Sequence, residues 1–238
     1  MKACPGPDRG KGGVTMTMKR IRLTAILAAL GLTLASAAQE KRPPANEIWL
    51  AGRQTVTVEN FDARGPILDI GGGGEGVIGQ LKGTQVIAID LNKQELEDAP
   101  PGPLVKIVMD ARDLKFLDGA FETATVFFTF MYIQSADHEQ VFRELHRVLR
   151  PGGRLLIWDV VFPKIEDVAK KSALYWFSFK LPDKTINTGY GVRLPPGEQS
   201  LSHFEELAQK TGFAVVAKKT DQRWFFLELS KPVAKQNH

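Results

Sequence analysis

The stretch "ILDIGGGGEGVIGQ" puts five glycines into the six positions from Gly71 to Gly76, directly after an apolar run that carries Asp69 and ends in Ile70. Glycine permits positive φ and lets backbone or ligand approach with no Cβ in the way. A buried strand over residues 66–70 must therefore turn sharply and enter a short helix near residues 75–81. Strand, glycine turn and helix in that order open the mostly parallel α/β sheets, whose ligand crevice lies at the carboxyl ends of the strands. No Gly-x-x-x-x-Gly-Lys-Ser/Thr sequence is present, which argues against a P-loop nucleoside triphosphatase.

The rest of the chain continues the alternation. "TQVIAID" reads as a second strand ending in Asp90, "LVKIVMD" as a third ending in Asp110, "ATVFFTF" as a fourth and "RLLIWDVVF" as a fifth. Their apolar runs suit strands covered on both faces. "LNKQELED" reads as a short helical turn. "DHEQVFRELHRVLRPGG" is the clearest helix, with Asp137 as its expected N-cap and Val141, Phe142, Leu145, Val148 and Leu149 on one stripe. Another helix is expected from Ser200 or Ser202 to Gly212, with Phe204, Leu207 and Ala208 inward. "FAVVAKK" and "RWFFLEL" then form an antiparallel hairpin. Ahead of all these, residues 55–59 alternate as a short strand or lead-in.

At 238 residues the chain has room for one sizeable domain. Its formal charge of +4 is a property of the first 37 residues, which hold six basic side chains and one acidic. The remainder carries 25 basic against 26 acidic groups, giving no concentrated basic face and no expectation of nucleic-acid binding. Lys19, Arg20 and Arg22 precede an uncharged, mostly apolar run from Leu23 to Ala35, and Ala35-Ser36-Ala37 fits a signal-peptide cleavage site. The run is short of the roughly 20 residues that span a bilayer. The expected organisation is a leader over residues 1–37, a linker over 38–46, one domain over 47–232 and a polar tail over 233–238. Residues 160–199 are marked as an acceptor-binding insertion. Export is expected, with membrane attachment only through an uncleaved leader, and a cytoplasmic location if the leader does not function. Cys4, the sole cysteine, lies within the leader, ahead of its signal segment, so disulfides, thiolate catalysis and cysteine-bound zinc are excluded from the domain. His138, His146, His203 and His238 fall at no ligand spacing, and no metal is expected.

The acidic strand ends sharpen the glycine turn. Asp69 lies just before it, Asp90 follows 21 residues later, where a carboxylate can accept both hydroxyls of a ribose, and Asp110 ends the next strand. A nicotinamide cofactor and another nucleoside cofactor both fit these residues.

Taken together, "ILDIGGGGEGVIG", "VIAIDLN", "IVMDARDLKF", "FETATVFFTFMYI" and above all "ELHRVLRPGGRLLIWD" resemble, in order, the motifs of the class I S-adenosylmethionine-dependent methyltransferases, in the small-molecule branch related to ubiquinone/menaquinone methyltransferases. The resemblance runs from about Ile67 to Val160. It implies a Rossmann-like α/β fold: a mostly parallel seven-stranded sheet in order 3-2-1-4-5-7-6, helices on both faces and a C-terminal antiparallel hairpin. It implies S-adenosylmethionine as cofactor and methyl transfer to a small-molecule acceptor. Asp69 and the backbone of Gly71, Gly72 and Gly73 would surround the methionyl part. Asp90 would bind the ribose, with Leu91 beside the adenine, while Asp110 and Ala111 would receive the adenine amino group. Phe130 and Met131 would stand near the sulfonium or substrate. Glu75 departs from the family's Asp-x-Gly-x-Gly-x-Gly by occupying the third glycine position; it would reach the cofactor's amino group or cap the next helix.

A sulfonium methyl is already activated, so alignment is the main demand and a general base is needed only for an acceptor that must lose a proton. Tyr132 and His138 are the weak catalytic candidates, His138 being expected to face solvent like His146 and His203. Tyr132, Tyr175 and Tyr190 are the weak acceptor-binding candidates. The competing reading of the 160–199 aromatics is that they anchor a long crossover onto the sheet. Two other functions stay open: a methyltransferase-fold protein that binds a nucleoside without catalysis, and an NAD-dependent oxidoreductase.

Overall fold

A computed structural model describes residues 44–233 apart from 163–166, 168, 195–198 and 222. The expected leader, most of the linker and nearly all of the polar tail lie outside the described residues. Among the described residues, no helix is long and apolar enough to cross a membrane.

The strands form two sheets. The larger holds β2 (Ile67–Ile70), β3 (Val86–Asp90), β4 (Val105–Val108), β5 (Phe121–Phe127), β6 (Leu149–Val160), β9 (Ala214–Thr220) and β10 (Trp224–Ser230), in the order β4-β3-β2-β5-β6-β10-β9. Counting only its own strands, that order reads 3-2-1-4-5-7-6. The β4-to-β6 block is parallel, and β10 runs antiparallel to both β6 and β9. The hairpin thus makes the sheet mixed. β9 lies at the edge, exposed along all seven residues.

The smaller sheet corrects the expected architecture. β1 (Ile48–Thr57), β7 (Ser172–Lys180) and β8 (Thr185–Arg193) pair in the order β1-β7-β8, with β1 parallel to β7 and β7 antiparallel to β8. Much of the segment marked as an acceptor-binding insertion is therefore a sheet whose inner face is core. Its signal was a period of two: Tyr175, Phe177 and Phe179 alternate along β7 and are fully buried. Their rings stack at 6.2 Å and 5.2 Å and press on Phe127 and Phe128 of the larger sheet. Tyr175 is accordingly a core residue, its hydroxyl reaching the Val161 carbonyl at 3.4 Å.

Two apolar clusters sandwich the larger sheet. On one face α3 (Ser135–Val148) and α4 (Leu201–Thr211) bury Val141, Phe142, Leu145, Val148, Phe204 and Ala208 against Leu68, Ile70, Val126 and Leu227. On the other, α1 (Val77–Lys82) and α2 (Lys93–Asp98) share the cover with the small sheet. α4 follows its sequence signals: the Ser200 hydroxyl accepts from the His203 N–H at 3.1 Å, and Gly212 ends the helix at φ +90°. α3 does not. It starts after Gln134, which makes no side-chain cap, and Asp137 in its first turn instead pairs with Arg112 at 2.9 Å.

Replacing Phe177 by alanine would remove a fully buried ring shared by the two sheets. The expected cost is about 3–5 kcal/mol, read as a lower midpoint in denaturant unfolding. A loss below about 1 kcal/mol would show that the small sheet is not packed as described.

Candidate functional site

The carboxyl ends of β2, β3, β5 and β6 open onto one crevice, and the glycine turn forms its floor. Gly71 has φ +69° and lies under the Thr129 side chain, whose hydroxyl donates to the Ile70 carbonyl at 3.0 Å. Gly72 donates to the Ile89 carbonyl at 3.0 Å, and a Cβ on it would come within 2.7 Å of both the Ala88 methyl and an Asp69 carboxylate oxygen. Asp69 is 2% exposed and accepts from the Thr125 hydroxyl at 2.7 Å. Burial pushes its carboxyl up to about 7, the Thr125 bond opposing the rise and Asp90 adding to it.

Asp90 curls back over the turn. It accepts from the Asn92 N–H at 2.8 Å, and a Cβ on Gly73 would meet its carboxylate at 2.8 Å. Its pKa is raised by burial against the lowering pull of the Asn92, Gly73 and Leu91 amides. Glu95, in α2, joins them: burial first, then Asp90, Glu75 and Asp98, push it up to about 7. Leu91 stands 66% exposed beside this group. The crevice is thus lined by carboxyls raised first by burial, with the charge of Asp90 adding to the rise at Asp69 and Glu95, a field suited to a positive ligand.

Glu75 sits between Gly74 and Gly76, at φ +57° and +53°. It does not cap α1, whose N-cap is Gly76 with no side-chain bond. Its carboxylate instead accepts from the Thr188 hydroxyl and, at 2.9 Å, from the Tyr190 hydroxyl, both on β8. Tyr190 is thereby drawn to the crevice, and Tyr132 meets it edge to face at 6.4 Å. Both phenols are raised well above their usual range, first by burial and then by the negative charge of Glu75. Tyr132 is therefore a neutral phenol and a donor rather than a base.

The wall after β5 is held by residues that the sequence reading passed over. Phe128 has φ +52°, unusual for a bulky side chain and costing on the order of 1–3 kcal/mol. That backbone turns its ring toward Phe177, Phe179 and Tyr190 while Thr129 reaches over Gly71. Asp159, fully buried near the end of β6, accepts from the Phe130 and Val160 amides at 2.8 Å each and from the Gln199 side chain at 2.7 Å. Burial pushes it up to about 7. An acidic residue ending an apolar strand was the same signal that marked Asp69 and Asp90, so Asp159 was findable. Thr125, Thr129, Glu95 and Thr188 carried no such mark.

Several expected placements change. Phe130 is fully buried among His138, Phe142 and Phe204, so its side chain belongs to the core; Met131 is buried on the opposite side of the sheet. His138 does not face solvent. It is 1% exposed, with Nε2 at 3.0 Å from the Ile133 carbonyl and 3.3 Å from that of Phe130. Two carbonyls require the proton on Nε2, so Nδ1 accepts from His203 Nε2 at 3.1 Å. Burial pushes its pKa down to about 4. With both nitrogens engaged, His138 braces the turn and is not a catalytic base. His146 is half-buried against Phe213. Asp110 lies in the loop beyond β4 and spends its carboxylate on Arg112, at 2.7 Å, which holds its pKa low; Ala111 follows it, half-buried. Among the described residues, no group of His, Cys, Asp and Glu is placed to hold a metal.

A methyltransferase-domain family profile matches residues 68–157, the span from β2 to β6 that builds this crevice. The ubiquinone/menaquinone biosynthesis C-methyltransferase of Hahella chejuensis is 31% identical over 139 residues, covering 53% of this chain and 55% of its own. An O-methyltransferase of Penicillium expansum is 28% identical over 161 residues, covering 63% and 52%. The chain thus spans little more than half the length of these curated relatives. Among solved structures, an S-adenosylmethionine-dependent methyltransferase from Methanosarcina mazei superimposes with a TM-score of 0.55 at 17% identity, over 73% of this chain and 95% of that one, which shows the fold. Residues 68–157 thus carry a methyltransferase-domain match, on a fold shared with an S-adenosylmethionine-dependent methyltransferase.

Proposed function

We propose that this protein transfers a methyl group from S-adenosylmethionine to a small-molecule acceptor. The carrying observation is the crevice itself: Asp69, Asp90 and Glu95, all with raised pKa values, beside a turn too tight for side chains. A ligand with an ammonium and a sulfonium relieves that mutual repulsion. The pyrophosphate of a nicotinamide dinucleotide would add to it, which argues for the methyl donor over the oxidoreductase reading.

S-adenosylmethionine, when bound, supplies a methyl carbon already activated by positive sulfur. The chain's own tasks are placement and exclusion of water. In this reading the Gly71–Gly73 backbone and Asp69 cradle the methionyl part, and Asp90 takes the ribose hydroxyls in place of its present amide partners. Leu91 covers the adenine. Tyr132 faces the acceptor side as a neutral donor, and Tyr190, whose one proton goes to Glu75, lines that side with its ring. Asp110 would have to release Arg112 to reach the adenine amino group, so its role there is the weakest of the set. In-line attack of the acceptor atom on the methyl carbon would form the new bond as the carbon–sulfur bond breaks, S-adenosylhomocysteine would be the leaving group, and an acceptor proton, where there is one, would pass to bulk solvent.

Calorimetric titration of the full chain should show binding of S-adenosylmethionine and none of NAD; no heat from the former at millimolar concentration would sink this reading. Asp90→Ala should weaken that binding more than tenfold, roughly the loss of a charge-assisted pair of hydrogen bonds, and a change below twofold would remove Asp90 from the ribose site.

The Asp69 shift also predicts a pH dependence of the unliganded fold. Its folded value near 7 lies above the unfolded 3.8, so the stability it contributes is complete below about pH 4 and is lost as pH rises through 7. Asn mimics the protonated acid. Asp69→Asn should match the wild type near pH 4 and exceed it at pH 8, by on the order of 4 kcal/mol. Equal melting points at both pH values would show that the carboxyl is not desolvated.

A further inference from the structure

The interaction that the family pattern does not account for is the one between Glu75 and β8. Two glycines in the left-handed region flank Glu75, and the Gln80 side-chain amide donates to its carbonyl at 2.6 Å, so the backbone that carries the carboxylate is fixed. Thr188 and Tyr190, neighbours on the inner face of β8, then fix the side chain. A carboxylate offers about four acceptor positions, and these hydroxyls use two of them. The remainder faces a crevice that also holds Glu95, Tyr132 and Tyr190, each of which feels the Glu75 charge. A directional acceptor of this kind recognises N–H groups. A sulfonium has none, whereas an ammonium has three.

We propose that Thr188 and Tyr190 are positioning residues for the methyl donor: through Glu75 they aim a carboxylate at the ammonium of its amino-acid end. This rests on the methyltransferase reading above. The small sheet is then part of donor recognition as well as a cover for the aromatic core. The glycine that the family pattern expects at position 75 is replaced by a charge that only β8 can hold in place.

The test separates a positioned charge from a mere tether between sheets. Two probes differ in the relevant group: S-adenosylhomocysteine keeps the ammonium, and 5′-methylthioadenosine lacks the amino-acid end entirely. Their dissociation constants should be measured by calorimetry on the full-length wild type, Tyr190→Phe, Thr188→Val and Glu75→Gln, with thermal melts establishing that each variant is folded. Tyr190→Phe and Thr188→Val should each weaken S-adenosylhomocysteine about fivefold, and Glu75→Gln about tenfold or more, the scale of hydrogen bonds to charged groups. Methylthioadenosine should bind all four proteins within twofold. Equal losses for both probes would show a general distortion of the crevice and overturn the proposal, as would unchanged affinity for S-adenosylhomocysteine. Failure of the wild type to bind S-adenosylhomocysteine would overturn the methyltransferase reading itself, and this inference with it.

Discussion

The absence of any room at Gly72 is the constraint on which the crevice depends. Its amide is bonded to the end of β3 and its α-carbon lies over both the Ala88 methyl and the Asp69 carboxylate. The turn can approach so closely only because no Cβ intervenes. That approach buries Asp69 and brings Asp90 onto Gly73, so the charge at one strand end adds to the burial of the acid at the other. The glycines therefore set the electrostatics of the site as well as its shape.

Around this floor the protein places strain and buried polarity where the chain must turn twice in quick succession. Phe128 holds a left-handed backbone because aromatic rings of two sheets close around it. Asp159 gathers the amide of Phe130 and the Gln199 side chain, and His138 takes the carbonyls of Phe130 and Ile133. The buried polar groups among them are satisfied, as such groups must be, Asp159 by partners 29 and 40 residues away and His138 by carbonyls five and eight residues back. They keep Thr129 and Tyr132 at the crevice without themselves reaching it.

Much of the larger sheet was legible because its strands are continuous apolar runs and its helices carry stripes of period 3.6, as in α3 and α4. Asp69, Asp90 and the glycine turn were legible for the same reason: their position at strand ends follows from local pattern. What escaped was decided by long-range pairing. Packing between α3 and α4 turned Phe130 and His138 inward, and Asp110 was the exception, taken by a neighbour only two residues away, Arg112. Of the two readings of the 160–199 aromatics, anchoring onto the sheet is the one Tyr175, Phe177 and Phe179 follow; that the segment is itself a sheet was carried by their alternation. Glu75 could be recognised as out of place, but its partners at Thr188 and Tyr190 lie more than 110 residues away.

The pairing of β1 with β7 carries a consequence for the order of assembly. Ile48 meets Ser172 and Thr57 meets Lys180, so five of the larger sheet's seven strands lie between the two in sequence. Closing so long a loop in an unfolded chain is entropically costly, and such contacts form late. Once β2 to β6 have folded, however, the ends are already near one another and the cost falls. The core sheet thus serves as the template on which the first strand of the domain waits for its partner. Because Thr188 and Tyr190 arrive with that partner, the Glu75 side of the crevice is completed in the last stage of folding.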